Sequence, residues 1–354
     1  MNICVHRRLF HAALPIVTST ALMFSIPTSA AEIEFKVGTS WNENFPMKAL
    51  LEDILKPKLE AYSDGRIISD VHMSGTLCSQ KTCVEQVKLG QLDIGTSSVS
   101  NYGGFHKTLE VLTLPYIFSN NETAQKILSE FLFDELQQKS NDEDKMKVLA
   151  IVPFLGFRQL ETNVGPIKEP KDLNGVKIRV TTSPLDGALL RAWGAVSTPI
   201  AWSETYDAIQ QKVVSGLYVQ QPVHAMMKFH EVTKYVTLTD GAWTPMMIFM
   251  DRNRFDELPV WAQEAVDKAA ADIRAQSFSI DQEYIKSIGE ANADKVELYS
   301  PTAEEASEWR NASAEAWLVA SKLKLYDPAL ARRILESQSG TEEFIAQLDK
   351  LGVL

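Results

Sequence analysis

Cysteine is scarce, three residues in 354, and the six histidines (6, 11, 72, 106, 224 and 230) show no paired spacing, which argues against a zinc-organised fold. Cations are outnumbered, 35 Lys and Arg against 46 Asp and Glu, for a net charge of −11. Such a chain repels phosphate backbones and anionic lipid, so no nucleic-acid partner is expected. The same field means that any anion it binds needs a local positive site. Beyond residue 31 there is no apolar run long enough to span a bilayer, no internal repeat and no low-complexity tract. The common catalytic signatures are missing too: no Walker lysine loop, no GxGxxG, no HExxH and no GxSxG. His230-Glu231 lacks a second histidine, and Glu204 and Asp207 read as the acidic first turn of a helix rather than a carboxylate pair. The expectation is a protein that is not an enzyme, with no metal and no cofactor.

The composition that remains, 45% apolar and 23% charged, is that of a soluble globular chain, and the length suits one large domain or two ordinary ones. Residues 1–30 have the grammar of a cleavable export signal: Arg7 and Arg8, a mostly apolar stretch over 12–26, then Thr28-Ser29-Ala30. Pro15 and the hydroxyls of Thr18, Ser19 and Thr20 argue against a stable membrane span. Export is the reading. Cys4 falls in the signal, which leaves Cys78 and Cys83, five apart. In an oxidising compartment this pair is expected to form a disulfide, with free core thiols or half a metal site as the alternatives. Because bridging across one regular helical turn strains the backbone, a loop must hold at least one of the two.

From Glu32 onward short apolar runs alternate with amphipathic stretches. Strands are expected over 33–37 (IEFKV), 66–71, 92–96, 147–154 (KVLAIVPF), 156–162, 176–181 (VKIRVT), 216–219 and 246–250. Helices are expected over 47–62, 83–89, 184–193 and 203–212, and the chain beyond Leu258 reads as almost wholly helical. Strands alternating with helices imply a parallel sheet and an α/β class. Residues 262–293 form the longest uninterrupted helical pattern, longer than one domain is wide and suited to bridging two lobes.

Two arginines stand apart from the solvated cations. Arg158 follows Gly156-Phe157 in GFRQLETN, and Arg179 lies on the less apolar face of VKIRVT, near the C-terminal end of the strand, where ligands of open sheets bind. Taken alone, the two could equally be solvent-facing strand arginines, with Glu161 as a partner. The surrounding run adds G-x-R, P-x-DL-x-G-x-KIRV, GA-x-x-x-P, W-S-E-x-Y-x-A-x-Q and VV-x-G in order. Upstream come GTLCSQKTCVEQVKLGQLDI and LTLPYIFSNNETA, and downstream KFHEVTKYVTLTD. From Glu32 to about Val260 this ordered set resembles the solute-binding proteins of TRAP (tripartite ATP-independent periplasmic) transporters, of the dicarboxylate-binding type.

That resemblance implies an α/β, two-lobed periplasmic binding protein-like fold with crossing strands and a long helix spanning both lobes. Lobe I would comprise 31–155 and 244–283, and lobe II 156–243 and 284–354. It implies a monomer that captures a small organic anion, a sugar acid or other carboxylate, and delivers it to TRAP-type membrane permease subunits. The alternatives are a ligand-sensing subunit for a membrane receptor kinase, or a secreted two-lobed enzyme acting on an organic anion. By resemblance Arg179 would hold the ligand carboxylate as a bidentate fork. Arg158 would be the second cation and Trp202 the aromatic wall. Gln80, Ser97 and Ser98 would be polar groups of the cleft, with Ser40 and Trp41 at its mouth. Two departures stand out. Ser215 replaces the Asp usual before Gly216, and the LYVQQP run that follows leaves Val219, Gln220 or Gln221 as the ligand-facing residue, with Gln221 preferred. Cys78 and Cys83 also fall in a segment that usually lacks them.

Overall fold

The structure, a computed structural model, describes residues 31–103, 107–292 and 295–354; the export signal expected over 1–30 lies outside the described residues. Eleven strands are described: β1 Ile33–Gly38, β2 Ile67–His72, β3 Ile94–Ser98, β4 Met146–Val152, β5 Phe157–Thr162, β6 Lys177–Val180, β7 Val196–Pro199, β8 Gly216–Gln220, β9 Tyr235–Trp243, β10 Met246–Asp251 and β11 Glu297–Tyr299. They form a five-stranded sheet, β2-β1-β3-β10-β4, and a six-stranded sheet, β11-β9-β5-β8-β6-β7.

Neither sheet is purely parallel, which corrects the expectation from strand–helix alternation. The chain leaves the first sheet through β4 into β5 and returns through β9 into β10. The two passages run in opposite directions, so β10 pairs antiparallel with β4 in the first sheet and β9 pairs antiparallel with β5 in the second. The remaining strands keep the parallel pairing of βαβ units, as in β1–β2 and β6–β7. The β4–β5 passage turns at Leu155 and Gly156, both with positive φ (57° and 82°), a conformation glycine adopts freely and leucine does not. The Leu155 N–H is held at 2.5 Å by the buried carboxylate of Asp281.

Asp281 belongs to the 33-residue helix Val260–Asn292, roughly 50 Å long at ~1.5 Å per residue. Its N-terminal half lays Ala262, Ala265, Val266, Ala269 and Ile273 into the first sheet's core, and farther along it meets helix Gln221–Met226, which follows β8 of the second sheet. This is the bridging helix the sequence pattern predicts. The only long helix of the described residues, it is not apolar enough to cross a membrane, nor is any other. The tail beyond β11 forms four helices from Ala303–Ala312 to Glu342–Lys350. Trp309 and Trp317 anchor it, the latter donating from Nε1 to Pro115 O at 3.0 Å.

Cys78 and Cys83 are joined by a disulfide, their Cα atoms 5.0 Å apart. Cys78 lies in the loop before helix Gln80–Lys88 and Cys83 within that helix, which meets the geometric condition for a bridge. Ser79 between them caps the helix through Thr82 N and so fixes where Gln80 begins.

Candidate functional site

Between the sheets lies an inner cavity lined from both sides. The second sheet supplies Arg158 from β5, Arg179 from β6, and Tyr218 and Gln220 from β8. The first sheet's side supplies Trp41, Gln80 and Ser98, and the crossing segments supply Phe154 and Thr244. An outer cleft shares Gln80, Asn101, Arg179 and Trp202 with the inner cavity and adds Ser40 at its mouth. A roomier depression beside β9, at Asp240 and Arg310, gathers fewer unpartnered buried polar atoms.

Arg179 is only 3% exposed. Its Nε donates to Ile200 O at 3.0 Å, its guanidinium stands 5.5 Å from the Trp202 ring centroid, and no carboxylate pairs with it among the described residues. Burial first, and the neighbouring charge of Arg158 second, pull its pKa down to about 9, so it is still a cation at neutral pH. Arg158 differs. Its Nη1 is bonded to the carboxylate of Asp186, while its Nε is buried without a partner. Glu161, three residues along β5, points to the opposite face and bonds His224 instead, so the Arg158–Glu161 pairing considered from sequence does not form.

On two other lining residues, Trp41 Nε1 and Thr244 Oγ1 are likewise buried and unpartnered, while the Tyr218 ring lines the cavity and its hydroxyl packs behind the wall, beside Gly241 and Trp193. Natural proteins rarely leave such groups unsatisfied, and their convergence on one cavity is what a polar ligand would resolve. Gln80 commits its carbonyl oxygen to Ser98 N and Asn101 Nδ2, both at 2.9 Å. Trp41 and Trp202 meet across the cleft, ring centroids 5.4 Å apart. Asn101 and Thr182 add a polar contact across it, at 3.3 Å.

Of the residues expected from sequence, Arg179, Arg158, Trp202, Gln80, Ser98 and Trp41 line the inner cavity, and Ser40 lines the outer cleft. Ser97 and Gln221 line neither. Alternation along β3 turns Ser97 away from Ser98, and its Oγ donates to Ser98 O at 3.1 Å. Gln221 has already entered helix Gln221–Met226, so Gln220, the last residue of β8, lines the cavity together with Val219. Tyr218, Thr181, Asn101 and Thr244 were missed. For Tyr218 a signal existed, since it stands two residues from Gln220 on one strand and period two puts both on one face. Glu204 and Asp207 are exposed and line neither cavity.

Behind this wall sits Glu110, fully buried, with Oε2 accepting from Thr113 at 3.0 Å and Oε1 facing Ser183 Oγ at 3.4 Å. Burial, then the charge of Asp186, pushes its pKa up to about 8. Burial likewise raises Glu161 and Asp281 to about 7. Between the usual 4.5 and about 8 the folded protein holds a proton on Glu110 that the unfolded chain releases, so this group favours folding more as pH falls. The melting temperature is expected to rise on acidification from pH 8 toward pH 5.5, and Glu110→Gln to show a flatter profile. A Glu110→Gln profile running parallel to the wild type's over that interval would contradict the assignment.

Residues 37–322 match the family described as bacterial extracellular solute-binding protein, family 7. The 2,3-diketo-L-gulonate-binding periplasmic protein YiaO of Escherichia coli is 27% identical over 266 residues, 74% of this chain and 76% of its own length. The C4-dicarboxylate-binding periplasmic protein DctP of Rhodobacter capsulatus is 27% identical over 309 residues, 84% of this chain and 89% of its own. A crystal structure of a TRAP periplasmic solute binding protein from Chromohalobacter salexigens with bound D-glucuronate superposes with a TM-score of 0.80 at 21% identity, over 86% of this chain and 100% of that one. This last likeness speaks to the fold alone.

Proposed function

The chain belongs to bacterial extracellular solute-binding protein family 7, and from that premise we propose that it captures a small organic acid between its two lobes and hands it, chemically unchanged, to TRAP-type permease subunits. The observation that carries this reading is Arg179, a buried cation with no carboxylate of its own, beside a cavity ringed by unpartnered donors. A carboxylate seated on its fork would supply the missing counter-charge. Lobe I would be 31–155 with 244–283 and lobe II 156–243 with 284–354, rocking about the two crossing passages and the long helix. A ligand that touches both walls favours the closed arrangement, and the permease would recognise that arrangement. Export by residues 1–30, a periplasmic location and a monomeric state complete the proposal; the names of the two relatives above, both periplasmic binding proteins, support the location.

A thermal-shift screen of organic acids, including D-glucuronate, L-gulonate and succinate, tests it. An acid present at about 100 times its dissociation constant should stabilise the protein by ~2.7 kcal/mol and be recovered intact. If no carboxylate raises the melting temperature, or if the bound acid is converted, the reading fails.

A further inference from the structure

We propose that Asp186 sets the charge of the ligand: by pairing with Arg158 it leaves the cavity one guanidinium without a carboxylate partner, Arg179, and one net positive charge, so that the site takes organic anions of charge −1 in preference to dianions of the same skeleton. This rests on the carboxylate-binding reading above and narrows it.

The two arginines share one cavity, and each unpaired guanidinium there would call for a carboxylate. Asp186 removes one of those demands from inside the protein. It is 1% exposed, in the first turn of helix Pro184–Ala192, where Ser183 caps its own N–H at 3.3 Å. Its Oδ2 takes both Arg158 Nη1 and, at 2.5 Å, Thr181 Oγ1, while its Oδ1 faces Ser100 Oγ at 3.5 Å. A carboxylate held from this many sides is a fixture of the wall rather than a mobile competitor. Glu110, the other buried carboxyl nearby, is held protonated at neutral pH and adds no charge.

What remains for the far end of a ligand is neutral. Arg158 Nε, on an already paired guanidinium, the Trp41 indole N–H and the Thr244 hydroxyl match hydroxyl groups. Lys81, the other cation of the cleft, stands exposed at the outer mouth, where water and salt screen it. A second carboxylate drawn into the inner cavity would lose its hydration without gaining a cation.

The test is calorimetry with two ligand pairs matched in skeleton and differing by one charge: D-gluconate against D-glucarate, and succinamate against succinate. In the wild type, the monoanion of whichever pair binds is expected to bind at least tenfold more tightly than its dianion. Asp186→Asn should narrow that ratio at least tenfold or reverse it, and Asp186→Glu, which keeps the charge, should retain it. A merely structural role would weaken both members alike and leave the ratio unmoved, which would overturn the proposal. So would a wild-type dianion binding as tightly as its monoanion, and this measurement decides alone if Asp186→Asn does not fold. If neither pair binds while other carboxylates from the screen do, the expected monoanion preference is read on a matched pair built from the acid that binds. If no carboxylate binds at all, the carboxylate reading falls and this inference with it.

Discussion

Arg179→Gln is expected to weaken ligand binding by roughly 30-fold or more while leaving the ligand-free protein at least as stable as the wild type. The two effects have one cause. In the free protein Arg179 is a buried charge compensated by a backbone carbonyl, the nearby Trp202 ring and, at longer range, the charge of Asp186, and burial together with the charge of Arg158 still pulls its pKa down to about 9. Removing a charge from such a place lifts a desolvation penalty. In the complex the same charge meets a carboxylate shielded from water, and truncating one partner of a buried, hydrogen-bonded charge pair typically costs about 2–5 kcal/mol. Arg179→Lys should still lose at least tenfold, because a compact ammonium cannot present the two parallel N–H donors of the planar fork. Titration calorimetry with the acid identified by screening, alongside melting of the ligand-free variants, reads both quantities. Unchanged affinity in Arg179→Gln would remove Arg179 from the site, and unchanged affinity in Arg179→Lys would refute its role as a two-donor fork.

Arg179 was legible in the sequence because VKIRVT alternates, so its face and its place near a strand end follow from period two. Its counterpart at 158 was only half legible. The strand and the arginine could be read, but Asp186 lies 28 residues away on a helix, and no local pattern announces that pairing. Single-residue errors at strand ends explain Ser97 and Gln221: alternation names a face, but it does not say where the strand stops, and β8 ends at Gln220. β9 is absent from the expected strands, which pass from 216–219 to 246–250. In the structure the pairing with β5 slips between Arg158 and Leu160, and Asp240 is accommodated at φ 44° with its N–H and carboxylate both bonded to Gln159. Strand direction has no local signal at all, so the antiparallel passages β4–β5 and β9–β10 became visible only with the two sheets assembled. The disulfide needed both kinds of knowledge, a compartment inferred from the leader and a loop at Cys78 that the sequence could require but not locate.

Trp193→Ala carries the opposite signature to Arg179→Gln: a loss of about 3–5 kcal/mol in stability, with a smaller change in affinity. Trp193 ends helix Pro184–Ala192 and is 1% exposed. Its ring stands edge-on to Tyr218 with centroids 5.6 Å apart and edge-on to Trp309 at 4.8 Å, and its Nε1 donates to Trp309 O at 3.1 Å. Trp309 in turn donates to Lys168 O at 3.0 Å, so one aromatic chain runs from the cavity wall to the tail helices. The packing leaves no slack: a Cβ added at Gly241 would lie 2.5 Å from both Trp193 Cη2 and Tyr218 Oη. Deleting the indole therefore opens a hole that its neighbours cannot close and removes one of the tail's ties to the wall, while Arg179 on β6 keeps its carbonyl partner. Denaturant unfolding with an unchanged slope and a lower midpoint is the expected result, and Trp193→Phe should recover part of the loss through ring packing but not the Trp309 hydrogen bond. If Trp193→Ala instead abolished binding with stability intact, the site would extend to the Tyr218–Trp193 contact, and Arg179 could no longer be treated as separable from the scaffold behind it.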